Sequence, residues 1–82
     1  MNDLSSTVDL MCSDFYDDRF KAEYIQLDIR TKRLEDFIGR YKDGKLCFKP
    51  NCDLDVLEKQ LDVMKAYKAI LENRSKIENI VI

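Results

Sequence analysis

The 82-residue sequence contains no histidine, two glycines and one proline. Histidine is the side chain that most often transfers protons near neutral pH, and it is missing. No glycine-rich phosphate loop is present, and no nucleophile has a plausible neighbouring base. Because glycine and proline are scarce, few turns can form and the secondary-structure elements must be long. We therefore predict a protein of long elements that is not an enzyme and binds no cofactor.

The sequence is also short of metal ligands and of long apolar runs. A zinc site at Cys47 and Cys52 would need two further ligands, and only Cys12 remains. The three cysteines are an odd number, and we expect reduced thiols because we predict a cytosolic protein. No run approaches the roughly 20 apolar residues of a membrane span, and the N-terminus does not resemble a signal peptide. We predict a cytoplasmic protein without a metal and without a membrane partner.

The composition, 45% hydrophobic and 37% charged, is typical of a soluble helical protein and argues against disorder. Residues 1–82 make one small domain. A chain of this size buries only about 60–65% of the surface that it exposes when unfolded, so its own core gives marginal stability. A disulfide, a metal or a second copy of the chain could supply the remainder.

Apolar residues in the first half recur at alternating four- and three-residue steps, the spacing of one helix face. Ser13 is a good N-cap, and Gly44 marks a turn. We predict a helix over residues 13–41 and a loop over 42–52, preceded over 1–12 by a short helix or a flexible arm. The helix face consists of Phe20, Tyr24, Leu27, Thr31, Leu34, Ile38 and Tyr41.

A second helix is predicted over residues 53–78, and it carries two apolar seams. One seam consists of Leu57, Leu61, Met64 and Leu71. A single partner helix cannot cover both seams. We therefore predict an all-α fold, an antiparallel two-helix hairpin that assembles into a homo-oligomeric helical bundle. The predicted oligomer interface is the second seam with a neighbouring arginine: Val63, Tyr67, Ile70, Arg74 and Ile77.

The segment between the two helices is the strongest candidate for a binding site. Four cations and two aromatic rings lie within ten residues, a composition that can neutralise phosphate groups and stack a base. Solvated loop charges around two anchoring rings are the alternative. A second basic group in the first helix, Arg30, Lys32 and Arg33, is interpreted as a solvated face. The candidate ligand-binding residues are Arg40, Tyr41, Lys42, Lys45, Phe48 and Lys49.

The net charge of −2 is unevenly distributed. Residues 1–18 contain five acids and no base, whereas residues 19–50 contain nine bases and five acids. Proteins that bind duplex DNA usually have a strong basic excess, so duplex DNA is not an expected partner. The acidic patch of Asp14, Asp17 and Asp18 could instead dock onto a basic protein surface.

Two sequence patterns resemble a family of small phage proteins. Leu34, Phe37 and Ile38 form an L-x-x-F-I helix end, and the second helix reads Q-L-x-x-M-x-x-Y-x-x-I-L-x-x-R. The chain is similar in both to small phage-encoded helical-hairpin proteins named for their relation to a crAss-like phage gene product. The residues on the second pattern are Gln60, Leu61, Met64, Tyr67, Ile70, Leu71 and Arg74.

The resemblance implies a phage accessory protein that acts in the host cytoplasm and counters host defence. We expect it to sequester a nucleotide-derived immune signal, a cyclic oligonucleotide or an ADP-ribose derivative, without catalysis. The alternatives are a small acidic inhibitor, similar to anti-CRISPR proteins, that blocks a host defence protein, and a plain helical assembly module.

Overall fold

The computed structural model describes residues 3–82, and the elements in this range are all helical. A 3₁₀-helix, Leu4–Thr7, runs into the short helix α1, Val8–Met11. Two long helices follow, α2 at Tyr16–Lys42 and α3 at Leu54–Ile77. The prediction of an all-α protein is confirmed for these residues. None of their helices combines the length and the apolar character needed to cross a membrane.

The N-terminal arm, residues 3–12, is helical and packs against α2. The Asp3 carboxylate accepts a hydrogen bond from the Ser6 N–H at 3.0 Å and thereby caps the 3₁₀-helix. Thr7 is fully buried, and its hydroxyl accepts a hydrogen bond from the Gln26 side-chain amide at 2.8 Å. The predicted arm also included residues 1 and 2, which lie outside the described residues.

Helix α2 begins at Tyr16, three residues after the predicted start at Ser13. Ser13 closes the turn before the helix instead of capping it. Its hydroxyl accepts a hydrogen bond from the Phe15 N–H at 3.1 Å and donates one to the Asp18 carboxylate at 2.8 Å. Asp17 and Asp18 lie in the first helical turn, where their charges complement the positive end of the helix dipole.

Helix α2 ends in a left-handed turn at Gly44, whose φ is 68°. The Lys45 N–H donates to the Arg40 carbonyl at 2.9 Å, which completes a Schellman cap. Glycine suits this position because it has no Cβ to clash in the left-handed conformation. The cap ends α2 and starts the loop, one residue later than predicted.

Helix α3 starts directly after Asp53, the first residue of the predicted second helix, and ends with a second Schellman cap. Asn79 takes the left-handed position with a φ of 56°, and the Ile80 N–H donates to the Ser75 carbonyl at 2.9 Å. This turn directs Ile80 into the core, where it is buried, while Val81 stays exposed. The apolar C-terminal segment is thus partly anchored within its own chain.

The two long helices lie side by side, and their contacts run in opposite order along the chain. Residues near the start of α2 meet the end of α3, and residues near the end of α2 meet the start of α3. Three polar contacts along this line are Tyr24–Glu72 at 2.8 Å, Glu35–Lys65 at 2.9 Å and Lys42–Glu58 at 3.5 Å.

The core is small and centres on Leu71 of α3, which has no exposed surface. Phe20 and Leu27 from α2 and Ile80 from the C-terminal segment close around it, and Tyr24 packs at the edge. Burial raises the pKa of Tyr24 to about 12, and the hydrogen bond to the neighbouring carboxylate adds to this shift. The predicted face of the first helix therefore supplies the core.

Two further positions extend this buried line along the helices. Ile38 of α2 and Leu61 of α3 are buried beyond the main core. Thr31, the one polar residue of the face, is also buried, and its hydroxyl donates to the Leu27 carbonyl at 2.7 Å. The hydrogen bond satisfies the hydroxyl, so the polar side chain does not interrupt the packing.

An ion-pair network at Asp28 links the middle of α2 to α3. The carboxylate binds Lys68 of α3 and, at 2.9 Å, Lys32 of its own helix. The hydrogen bond from Lys68 and then that from Lys32 hold the pKa of Asp28 below its usual value, although partial burial opposes the shift. Asp28 therefore stabilises the helix pair in its ionised form.

Replacing Leu71 by alanine should lower the free energy of unfolding by about 2–5 kcal/mol, because the change leaves a cavity in the only substantial core of the described residues. Val81→Ala, at an exposed position, is the matched control and should change the value by less than about 0.5 kcal/mol. Urea unfolding followed by circular dichroism measures both. Equal effects of the two substitutions would contradict the assignment of the core.

The Asp28 network predicts a pH dependence of stability. The folded-state pKa lies below the unfolded one, so the contribution is complete above the unfolded pKa of about 3.9 and is lost as the pH falls through the folded pKa. Urea unfolding between about pH 6 and about pH 2.5 should show this loss, and Asp28→Asn should reduce the slope. Asp62→Asn, at an exposed position of α3, should leave the slope unchanged. A slope in Asp28→Asn as steep as that of wild type would exclude this carboxylate as a source of the pH dependence.

Candidate functional site

The loop between α2 and α3 folds back onto the end of α2. The ring of Phe48 packs against that of Phe37, with 6.2 Å between centroids and 32° between planes. Leu46 is half-buried beneath the loop. More than half of the Phe48 surface, 58%, remains exposed. The packing fixes the position of the loop and leaves much of an aromatic ring open to a ligand.

A cleft of about 330 Å³ lies between the last turns of α2 and this loop, and we call it the loop cleft. Three cations and one carboxylate surround an aromatic pair, so the charge around the cleft is positive. Arg40 lies 3.1 Å from Asp36, which orients its guanidinium. Such a cleft can bind a phosphate and stack a planar ring. It is lined by Arg33, Asp36, Phe37, Arg40, Lys45, Leu46, Cys47 and Phe48.

A smaller depression of about 250 Å³ lies on the other side of Phe48. Tyr41, Lys49 and Pro50 line it together with the Gly44 turn. With one cation and two aromatic rings, it offers fewer contacts to an anion than the loop cleft. Phe48 separates the two concavities.

The structure divides the six predicted binding residues among three places. Arg40 and Lys45 line the loop cleft, Tyr41 and Lys49 line the smaller depression, and Phe48 borders both. Lys42 lines neither concavity, because the rotation of α2 turns it towards Glu58 of α3, 3.5 Å away.

Sequence reasoning missed two residues of the loop cleft, Arg33 and Phe37. They belong to α2 and precede the loop, so the search for a local cluster did not include them. The signal was present, because Arg33, Phe37 and Arg40 follow the i, i+4, i+7 spacing of one helix face. That the loop packs on this face could not be read from the sequence.

A third concavity, about 290 Å³ in volume, lies where the N-terminal arm meets α2 and α3, and we call it the arm cleft. Glu23 accepts a hydrogen bond from the Tyr67 hydroxyl at its border. This cleft could not be predicted from the sequence, since it depends on how the arm docks against α2. Its lining consists of Met11, Arg19, Ala22, Glu23, Gln26, Leu27, Arg30 and Tyr67.

An apolar stripe runs along an exposed face of α3, and one of its members, Tyr67, also donates a hydrogen bond from its hydroxyl to Glu23 of α2. It contains four of the five predicted oligomer-interface residues. Isolated exposed apolar side chains are ordinary, but a continuous row of them on one helix marks a candidate interaction surface. The stripe consists of Val56, 53% exposed, Val63, 68%, Tyr67, 40%, Ile70, 58%, and Ile77, 71%.

Arg74, the fifth predicted interface residue, is bound within its own chain. Its guanidinium lies 5.1 Å from the Phe20 ring centroid and donates hydrogen bonds to Glu78 at 3.0 Å and to the Tyr16 hydroxyl at 2.7 Å. The Tyr16 hydroxyl in turn donates to Glu78 at 2.7 Å. Hydrogen bonds from Tyr16 and then Arg74 hold the pKa of Glu78 below its usual value. Arg74 therefore joins the ends of α2 and α3.

The acidic residues at the start of α2 remain at the surface, with Asp14 and Asp17 exposed and Asp18 half-buried. Across residues 3–82, no three side chains among the cysteines and acids come together in a way that could hold a metal ion. All three cysteines are unpaired thiols, and only Cys52 is half-buried.

A family model named Sequestin matches residues 13–77, which is most of the chain. The chain belongs to the Sequestin family. The matched segment contains α2, α3 and the loop cleft, while the N-terminal arm lies outside it. The family name indicates a sequestering accessory protein that binds a ligand or partner; a crAss-like phage origin stays a prediction. Neither the curated proteins nor the solved structures include a match to this chain.

Proposed function

We propose that this Sequestin is a non-catalytic phage protein that sequesters a nucleotide-derived immune signal in the host cytoplasm and so counters host defence. The observation that carries this proposal is the loop cleft, in which Arg33, Arg40 and Lys45 surround the Phe37–Phe48 pair. Cations and exposed rings are the groups that bind the phosphates and bases of nucleotides. The family name supports sequestration as the activity.

Each part of the loop cleft has a role in this proposal. The Arg40 and Arg33 guanidiniums offer paired N–H donors to phosphate oxygens, and Lys45 adds a mobile positive charge. The open face of Phe48 stacks a base or another planar ring. Sequestration requires only tight stoichiometric binding, so the site needs no general base, nucleophile or cofactor.

We also propose that α2 and α3 form an antiparallel hairpin that is the building block of a homo-oligomer. The support is the stripe from Val56 to Ile77, which α2 does not cover. Fully burying a valine or isoleucine side chain stabilises an assembly by roughly 1.5–3 kcal/mol. A second copy of the chain presents the same stripe, so it is a self-complementary partner for this surface.

Charge reversal at Lys45 tests the loop cleft. Wild type should bind at least one of cyclic di-AMP, cyclic tri-AMP and ADP-ribose in isothermal titration calorimetry. Lys45→Glu should weaken that binding by about 10- to 100-fold, since a charge-assisted contact is replaced by repulsion. Lys42→Glu is the matched control, because Lys42 faces Glu58 and lines neither concavity. It should change the affinity by less than about threefold.

Two results would contradict the proposal in different ways. Equal losses in Lys45→Glu and Lys42→Glu would place the ligand elsewhere than in the loop cleft. A wild type that binds none of the probes would remove nucleotide sequestration. If such a protein instead captured one purified defence protein and lost it when Asp14 and Asp17 were changed to asparagine, the inhibitor alternative would replace it.

The assembly is tested by placing a charge on the stripe. Wild type should have the mass of an oligomer in multi-angle light scattering, and Ile70→Lys should have the mass of one chain, since a lysine cannot be buried there unpaired. Val81→Lys adds the same charge at another exposed apolar position and should remain oligomeric. A monomeric wild type at about 100 μM would overturn the oligomer proposal.

A further inference from the structure

Two arginines in the middle of α2, Arg30 and Arg33, have no acidic partner among residues 3–82. The cations around them are paired: Lys32 lies 2.9 Å from Asp28, and Arg40 lies 3.1 Å from Asp36. Arg30 and Arg33, in contrast, make no ion pair and no side-chain hydrogen bond within residues 3–82. Both are exposed. The basic group of Arg30, Lys32 and Arg33, which was interpreted from the sequence as one solvated face, therefore consists of one paired lysine and two unpaired arginines.

Arg30 and Arg33 are also neighbours. Residues three apart on a helix project from the same side, with about 5–6 Å between their Cβ atoms. Two positive charges at this spacing repel each other and slightly destabilise the helix. An anion bound between them would relieve the repulsion and accept hydrogen bonds from both guanidiniums. The pair has the charge and spacing of a phosphate site.

The pair lies where two clefts meet. Arg30 lines the arm cleft, and Arg33 lines the loop cleft. Phe37, on the floor of the loop cleft, follows Arg30 by seven residues, which is about 10 Å along the helix axis. Both clefts therefore open on the same side of α2, with the two guanidiniums between them.

The arm cleft contains an aromatic ring and hydrogen-bond acceptors that can contact the base or the ribose of a ligand. Tyr67 presents part of an aromatic ring at its border. Gln26 donates from its amide nitrogen to Thr7 at 2.8 Å, which fixes the side chain. Its carbonyl oxygen accepts no hydrogen bond within residues 3–82, and the Glu23 carboxylate is a further acceptor nearby. These acceptors suit the amino group of a base or the hydroxyls of a ribose.

We propose that Arg30 and Arg33 bind the phosphates at the centre of a two-part ligand, one part lying in the loop cleft against Phe48 and the other in the arm cleft beside Tyr67. This inference rests on the proposed function and narrows its ligand to molecules with two ring-bearing halves joined by phosphates. Cyclic dinucleotides and ADP-ribose derivatives share that chemistry.

The test compares two substitutions in isothermal titration calorimetry with cyclic di-AMP, ADP-ribose and AMP as probes. Arg30→Gln, which changes no residue that lines the loop cleft, should bind the preferred two-part probe at least about tenfold more weakly than wild type. Lys32→Gln removes a charge from the same turn, but one already paired with Asp28, and should bind within about threefold of wild type. Wild type should bind AMP at least about tenfold more weakly than the two-part probe.

The outcomes separate this inference from the proposed function. Full affinity in Arg30→Gln, with the loss in Lys45→Glu intact, would overturn the arginine site and leave sequestration in the loop cleft standing. AMP binding as tightly as the two-part probes would overturn the two-cleft ligand in the same way. A wild type that binds none of the probes would overturn both. The preferred probe decides between a cyclic dinucleotide and an ADP-ribose derivative.

Discussion

The core around Leu71 is the constraint on which the rest of the structure depends. Two long helices can turn only one face each towards the other. The core between these faces consists of Leu71 together with Phe20, Leu27 and Ile80. Within residues 3–82, the short N-terminal arm packs against α2, and no other element covers the face of α3 opposite to α2. The apolar residues of that face of α3 therefore lie at the surface, while the clefts form where the loop and the arm pack against α2.

Polar contacts along the edges of the core set the register of the two helices. Tyr24 binds Glu72, Asp28 binds Lys68 and Glu35 binds Lys65, so each of three successive segments of α2 has its own partner on α3. The exposed Glu35–Lys65 pair contributes little energy, whereas the Asp28–Lys68 pair is partly buried. Their value is specificity, because sliding one helix along the other would break all of them together. The register also brings Tyr67 of α3 next to Glu23 of α2, at the border of the arm cleft.

The sequence was sufficient to predict the features that depend on helical periodicity. The spacing of Phe20, Leu27 and Ile38 predicted a helix and its buried face, since the period of the apolar residues is a direct consequence of helix geometry. Contacts that depend on the rotation of a helix about its axis, or on how the N-terminal arm docks against α2, were not predictable. Lys42 belongs to the basic cluster in sequence but faces Glu58, and the arm cleft exists only because Thr7 and Gln26 meet across 19 residues.

The spacing of the stripe on α3 has a geometrical consequence. Val56, Val63, Ile70 and Ile77 recur at intervals of seven residues, which is slightly less than two turns of a straight α-helix. The row consequently drifts around the helix by about 20° per interval, or about 60° from end to end. A straight partner helix parallel to α3 would no longer contact the residues at the far end of the row. A partner that follows it must wind around α3 with a left-handed twist, as the helices of a coiled coil do.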